Sequence, residues 1–331
     1  MSDDVPDSDP PPEQQGRTKK RLLLALRVAG TLIAFGYIAS IVEFDALTAA
    51  VGRVSVGAFL AACALTFGNL VVGAVRWRVL LAAYGAPHRP SVAKLAQVYW
   101  IGFFYNSFLP GGVGGDVVRG IVTRQSFGER GATASMTVVL VERVLGLSGL
   151  LLIVGASAVL RPVEGTEAVF PYSLVGLFIA ACAVTAVAIG RRLSPHLPGR
   201  LSTLAASLPV IERWPPFFGA LGISLITQTL VALTGYCLLH AIDPAVGITD
   251  ALLVVPLAMA AAFFPLSVGG AGAREAAFVG LCGVAFGMPE SDALAASLLL
   301  WATQLAVAAL GGLSQLVVPL KVADEPSAEE T

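Results

Sequence analysis

The chain has 331 residues, 56% of them hydrophobic and only 13% charged, whereas a soluble domain carries roughly 25% charged residues. With a mean hydropathy of +0.79, that composition excludes a large soluble domain and calls for a solvent other than water. A net charge of −1 gives nucleic acid no electrostatic reason to bind, so no nucleic-acid partner is expected.

Residues 1–18, rich in Asp and Pro, read as a disordered tail. Lys19, Lys20 and Arg21 then precede an apolar run over 22–42. That run exceeds the roughly 7–15 apolar residues of a signal peptide and is long enough to span a bilayer. Arg27 stands near its edge, where a long side chain snorkels to the headgroups. The same length criterion predicts spanning helices at 54–75, 135–160, 168–190, 217–241 and 292–320. A single polytopic domain is thus expected over 19–321, followed by a small acidic tail at 322–331.

Two apolar regions, 92–131 and 249–289, differ from the rest. Each carries a glycine motif near its middle: Pro110-Gly111-Gly112-Val113-Gly114-Gly115-Asp116-Val117-Val118-Arg119, and Ser267-Val268-Gly269-Gly270-Ala271-Gly272-Ala273-Arg274-Glu275. Lys/Arg excess in short loops marks the cytoplasmic side. Lys19–Arg21; Arg76, Arg78, Arg89 and Lys94; Arg119, Arg124 and Arg130; Arg191, Arg192, Arg200 and Arg213; and Lys321 all read as inside. Glu164, Glu167, Asp243, Asp250, Glu290 and Asp292 read as outside. These assignments are compatible only if each motif region returns to the side on which it began. The predicted architecture is therefore an all-α integral membrane protein, with six spanning helices and two re-entrant helical hairpins entering from opposite faces. Both termini are expected on the cytoplasmic side of the cytoplasmic membrane.

A shift of the chain on itself lays Gly111–Gly114 over Gly269–Gly272 and Asp116 over Arg274. Combined with opposed hairpins, this pattern is similar to the inverted repeats of secondary transporters, whose broken helices meet near the midplane.

In the first motif, Pro110 should stop a helix at Leu109. A new one can begin at Gly114–Asp116, with Asp116 suited to the N-cap and its free N–H groups suited to an anion such as phosphate. Asp116 and Arg119 share a helix face, and Glu142 and Arg143 lie about two turns inside the 135–160 helix. Charges at such depth cost roughly 2.5–3.5 kcal/mol each unless paired or hydrated, so they are functional candidates. The alternative is structural pairing, Asp116 with Arg143 or Glu142 with Arg119. Asn106, Ser107, Gln228, Ser267 and Gln304 supply further polar groups at membrane depth.

The four scattered cysteines and three distant histidines have no metal-ligand spacing, and no phosphate-binding loop or hydrolase motif occurs. No cofactor or metal is expected.

The stretch from Asn106 to Arg119, Glu142-Arg143 with its apolar run, and Pro265 to Glu275 occur in the order found in one known family. Over about residues 20–320 the chain resembles the lysylphosphatidylglycerol synthase/flippase transmembrane-region family, the flippase-like domain proteins. The resemblance implies an inner-membrane protein related to the lipid-translocating part of aminoacyl-phosphatidylglycerol synthases. The soluble aminoacyl-transfer domain that follows in those synthases is not expected here, so no enzymatic activity is carried over. The leading expectation is movement of an anionic or modified membrane lipid. Asn106, Pro110, Gly111, Gly112, Gly114, Gly115, Asp116, Arg119, Glu142, Arg143, Ser267, Gly269, Gly270, Gly272, Arg274 and Glu275 are the headgroup-site candidates. The rival readings are an enzyme or accessory subunit of lipid-linked sugar assembly, or a small-solute transporter; a homo-oligomer or partner enzyme is left open.

Overall fold

The apolar runs become helices wherever their ends are punctuated. In the computed structural model, residues 43–108, 114–160, 162, 167, 169–207, 210–261 and 272–317 are described. The described helices are α1 (Phe44–Gly52), α2 (Val56–Ala83), α3 (Val92–Phe108), α4 (Gly114–Thr123), α5 (Gly131–Leu160), α6 (Val169–Leu193), α7 (Gly199–Ser207), α8 (Trp214–Ile242), α9 (Ile248–Ala261), α10 (Ala273–Phe286) and α11 (Glu290–Val317). Short 3-10 turns, Arg124–Arg130 and Ser194–His196, precede α5 and α7. Ser55 starts α2 by accepting the Ala58 N–H at 3.1 Å. Pro215 and Pro216 fall at the start of α8, where a missing N–H leaves no intrahelical bond unmade. Glu290 and Asp292 sit in the first turn of α11, complementing its dipole.

Among the described residues, α2, α5, α6, α8 and α11 are long and apolar enough to cross a membrane. They correspond to five of the six predicted spans; the sixth, 22–42, lies outside the described residues. The protein is an all-α membrane protein. Phe67, Phe178, Ile179, Phe218, Ile226, Leu310 and Leu313 are exposed on these helices, an arrangement suited to hydrocarbon and unfavourable in water.

α2 and α8 form the antiparallel centre. Near one end Ala83 accepts the Glu212 and Arg213 N–H groups; toward the other, Ala62 of α2 shares a core with Leu238, Leu239 and Ile242 of α8. α5 packs on α8 through Gly149, where an added methyl would press on Ser224 at 2.9 Å. Such small-residue contacts let helices approach closely in lipid. α6 lies outside α5, touching it where Gly176 meets Leu151.

Both motif regions fold back on themselves. Leu95, near the start of α3, and Val122 and Phe127, just after the first motif, pack into one core with Tyr84, Ala86 and Ile211. Val246, before α9, and Met288, after α10, pack into the opposite core with Ala50 and Ile242. Two helical hairpins therefore leave from opposite ends of the α2/α8 pair and return to them. Their tips, 109–113 and 262–271, fall outside the described residues; so do Pro110, Gly111, Gly112, Ser267, Gly269 and Gly270.

One boundary needs correction. The 54–75 span runs on to Ala83, so Arg76 is not a loop charge but a buried member of α2. The apolar Val79–Ala83 tail continues the helix past two arginines, which a hydropathy window reads as its end.

Candidate functional site

The first hairpin is closed by the backbones of its two arms. A methyl group at Gly115 of α4 would overlap the Gly102 carbonyl of α3. Only glycine allows that approach. The Asn106 side chain accepts the Gly115 N–H at 2.7 Å, so the α4 terminus is capped from the neighbouring helix. Asp116 was the expected cap. It does not take that role because its carboxylate is drawn sideways, to Arg143 and, at 3.6 Å, to Arg119.

Replacing Asn106 by alanine should destabilise the purified protein by about 0.5–2 kcal/mol, measured as a shift in the unfolding midpoint. Asn106→Asp, which keeps the acceptor, should recover most of it.

This closed hairpin presents Asp116 and Arg119 to α2, α3 and α5. Arg119 pairs with Glu142 of α5, and Arg76 of α2 reaches the same carboxylate, with Nη2 3.0 Å from Oε1. The Tyr99 hydroxyl of α3 donates to Glu142 Oε1 at 3.1 Å. Arg76 also donates to Ser224 at 3.1 Å and Thr227 at 3.3 Å on α8. The Arg119 guanidinium lies 4.2 Å from the Tyr99 ring centroid and 4.6 Å from that of Trp77, in cation–π contact with two rings that meet edge to face.

Asp116–Arg143 and Arg119–Glu142 are the two pairings that the sequence offered as the purely structural reading. The residues that sequence reasoning missed are Arg76, Trp77, Tyr99, Ser224 and Thr227. The three-residue spacing of Ser224 and Thr227 on one helix face was a legible signal; nothing in the sequence tied them to Arg76.

Glu142 is about 16 Å along the axis from Gly131, comparable to half of a hydrocarbon layer about 30 Å thick. At that depth each ion needs its partners. Among the described residues of the cluster, three guanidinium groups face two carboxylates. The Trp77 indole N–H, fully buried beside Arg119, has no hydrogen-bond acceptor among the described residues.

The second hairpin builds a separate pair. Arg274 bonds Glu275, and Glu275 Oε2 accepts the Gly272 N–H at 2.6 Å, capping α10. The Arg274 guanidinium lies 5.8 Å from the Trp301 ring centroid on α11. By position in its helix, the counterpart of Asp116 is Glu275, the third residue of α10, and not Arg274 as the sequence shift placed it. Among the other polar candidates, Gln228 donates to the Gly146 carbonyl at 3.1 Å.

A family described as the lysylphosphatidylglycerol synthase TM region matches residues 23–312. No curated protein matches the chain.

Proposed function

The chain belongs to the lysylphosphatidylglycerol synthase TM-region family, and on that premise we propose that it moves a membrane lipid with an anionic headgroup between leaflets. The single observation that carries this reading is the buried cluster of three arginines and two carboxylates, reached by α2, α3, α4, α5 and α8. A headgroup crossing a bilayer has to be compensated where the hydrocarbon would otherwise strip it. The clustered guanidinium groups and the buried Trp77 N–H supply the donors that a phosphate lacks there.

The reading is of a transporter-like protein and not an enzyme. Both carboxylates are engaged by arginines, which occupy the oxygens that an acid or base would have to turn towards a substrate. For orientation, Arg78, Arg89, Lys94, Arg191, Arg192 and Arg213 surround one end of the bundle and favour it as the cytoplasmic one. In this reading the membrane is the cytoplasmic membrane, with both termini on its inner side.

The test is fluorescent-lipid translocation in proteoliposomes. Wild type should accelerate movement, whereas Arg119→Ala and Arg274→Ala should reduce it, the first more. Equal movement in all three and in empty vesicles overturns the proposal. Orientation is read separately, by single cysteines at positions 124 and 290 in a chain whose four native cysteines are replaced. They should label from opposite sides.

A further inference from the structure

α2 carries a second polar residue at depth besides Arg76. Asn69 stands at the midpoint of this 28-residue helix, about 20 Å from either end, in a hydrocarbon layer about 30 Å thick. Phe67, on the opposite side of the helix, is open to lipid, so Asn69 is turned inward. Gln228, the comparable amide of α8, is satisfied by the Gly146 carbonyl. For the buried carboxamide oxygen of Asn69 the described residues supply no donor. A polar atom left unpaired in such surroundings is costly, because no bulk water is there to replace the missing partner.

The charged cluster comes within one turn of this amide. Gly73 lets Tyr99 lie against α2, its hydroxyl 3.0 Å from where a Cβ on Gly73 would stand. There the hydroxyl meets Arg76 Nη2 at 3.5 Å. Asn69 and Gly73 are four residues apart, about 6 Å along the axis. Beyond Arg76, Trp77 presents its buried N–H, for which the described residues supply no acceptor. Steps of four and three residues put Asn69, Gly73, Arg76 and Trp77 on one face of α2. That face offers an unmade donor, a guanidinium and an unmade acceptor in turn.

We propose that Asn69 reads the headgroup: the lipid carries a hydroxyl or ammonium group beyond its phosphate, and that group donates to the Asn69 carboxamide oxygen. A phosphodiester oxygen can only accept, so it answers Arg76 and Trp77 and leaves Asn69 unmet. A headgroup with a donor of its own meets both ends of the face. A headgroup without one buries the acceptor unpaired, and a site built around a hydrogen bond rejects the analogue that cannot make it. The assignment rests on the translocation reading and adds which headgroups the site selects. Asn69 is then a specificity-determining residue, not one that holds helices together.

The test uses the full chain in phosphatidylcholine nanodiscs with trace lipid spin-labelled on an acyl chain, and reads the motionally restricted fraction. The two probes are phosphatidylglycerol and phosphatidylmethanol, which carry the same charge but differ in headgroup hydroxyls. Wild type should retain phosphatidylglycerol about tenfold more strongly, the scale of one buried hydrogen bond. Asn69→Leu should bring the two lipids level, and Asn69→Thr, which keeps an acceptor, should restore part of the difference. The unfolding midpoint of Asn69→Leu should equal or exceed that of wild type, because an unpaired amide leaves the interior. Equal retention of both probes by wild type overturns the inference and marks a place filled by ordered water. An undiminished preference in Asn69→Leu overturns it too. So does a parallel loss of both lipids with a lowered midpoint, which would assign Asn69 to packing. Lipid movement without Asn69-dependent selection defeats this inference alone. Selection that depends on Asn69 without movement defeats the translocation reading alone.

Discussion

Replacing Glu142 by alanine should lower stability by about 3–5 kcal/mol, the penalty for stranding a buried partner charge. Glu142 has the largest share of the network, since Arg76, Arg119 and Tyr99 all converge on its carboxylate. With the carboxylate gone, two guanidinium groups remain inside a bundle that offers them hydroxyls, aromatic faces and, among the described residues of the cluster, the carboxylate of Asp116. Glu142→Gln is the sharper probe, because it keeps the shape and a hydrogen-bond acceptor while deleting the charge. It should fall between alanine and wild type. Both variants are to be compared by loss of the folded, monodisperse peak after graded heating in detergent. Unfolding midpoints for Glu142→Ala within about 1 °C of wild type would mean that Glu142 does not hold the cluster together.

Gly115→Ala should be strongly damaging, since among the described glycines none would bring a methyl closer to a backbone atom. The added methyl overlaps the Gly102 carbonyl, and neither backbone can yield without opening the hairpin. Overpacking in a well-packed interior costs typically 1–3 kcal/mol. Here the displacement also shifts the Gly115 N–H away from Asn106 and carries Asp116 away from Arg143. Gly222→Ala and Gly280→Ala are matched controls, since a methyl at either meets nothing within 4 Å. In helical glycines with open space the change should be neutral or slightly stabilising. The expected result is a lower unfolding midpoint and lost lipid movement for Gly115→Ala, with both controls like wild type. Three equivalent variants would show that the hairpin contact does not matter.

Much of the fold was legible because in lipid the signal is simple: an apolar run of sufficient length has to be a helix. The spans at 135–160, 168–190, 217–241 and 292–320 reappear as α5, α6, α8 and α11 with ends moved by a few residues. The hairpins were legible from charge, because basic and acidic loops left no other consistent path. α1 and α7 were not anticipated, as nine-residue helices are too short to register as spans.

Within the site, the carboxylates and arginines next to glycines could be read as partners, since charge at depth demands an opposite charge. Arg76 escaped for the reason that hydropathy averages over windows: two arginines near a helix end look like the end. Asn106 was recognised as polar at depth, but its capping role depends on an approach of two backbones that one-dimensional spacing does not encode.

The network also has a consequence in time. Arg76 precedes Glu142 by 66 residues, and Asp116 precedes Arg143 by 27. At about 5–20 residues per second of synthesis, Arg76 is made roughly 3–13 s before the carboxylate it is built to meet. Until α5 arrives, the first hairpin and the end of α2 carry charges that hydrocarbon rejects. They have to wait at the membrane surface or inside the insertion machinery. The bundle is thus assembled in a fixed order, with α5 as the piece that lets the earlier segments settle.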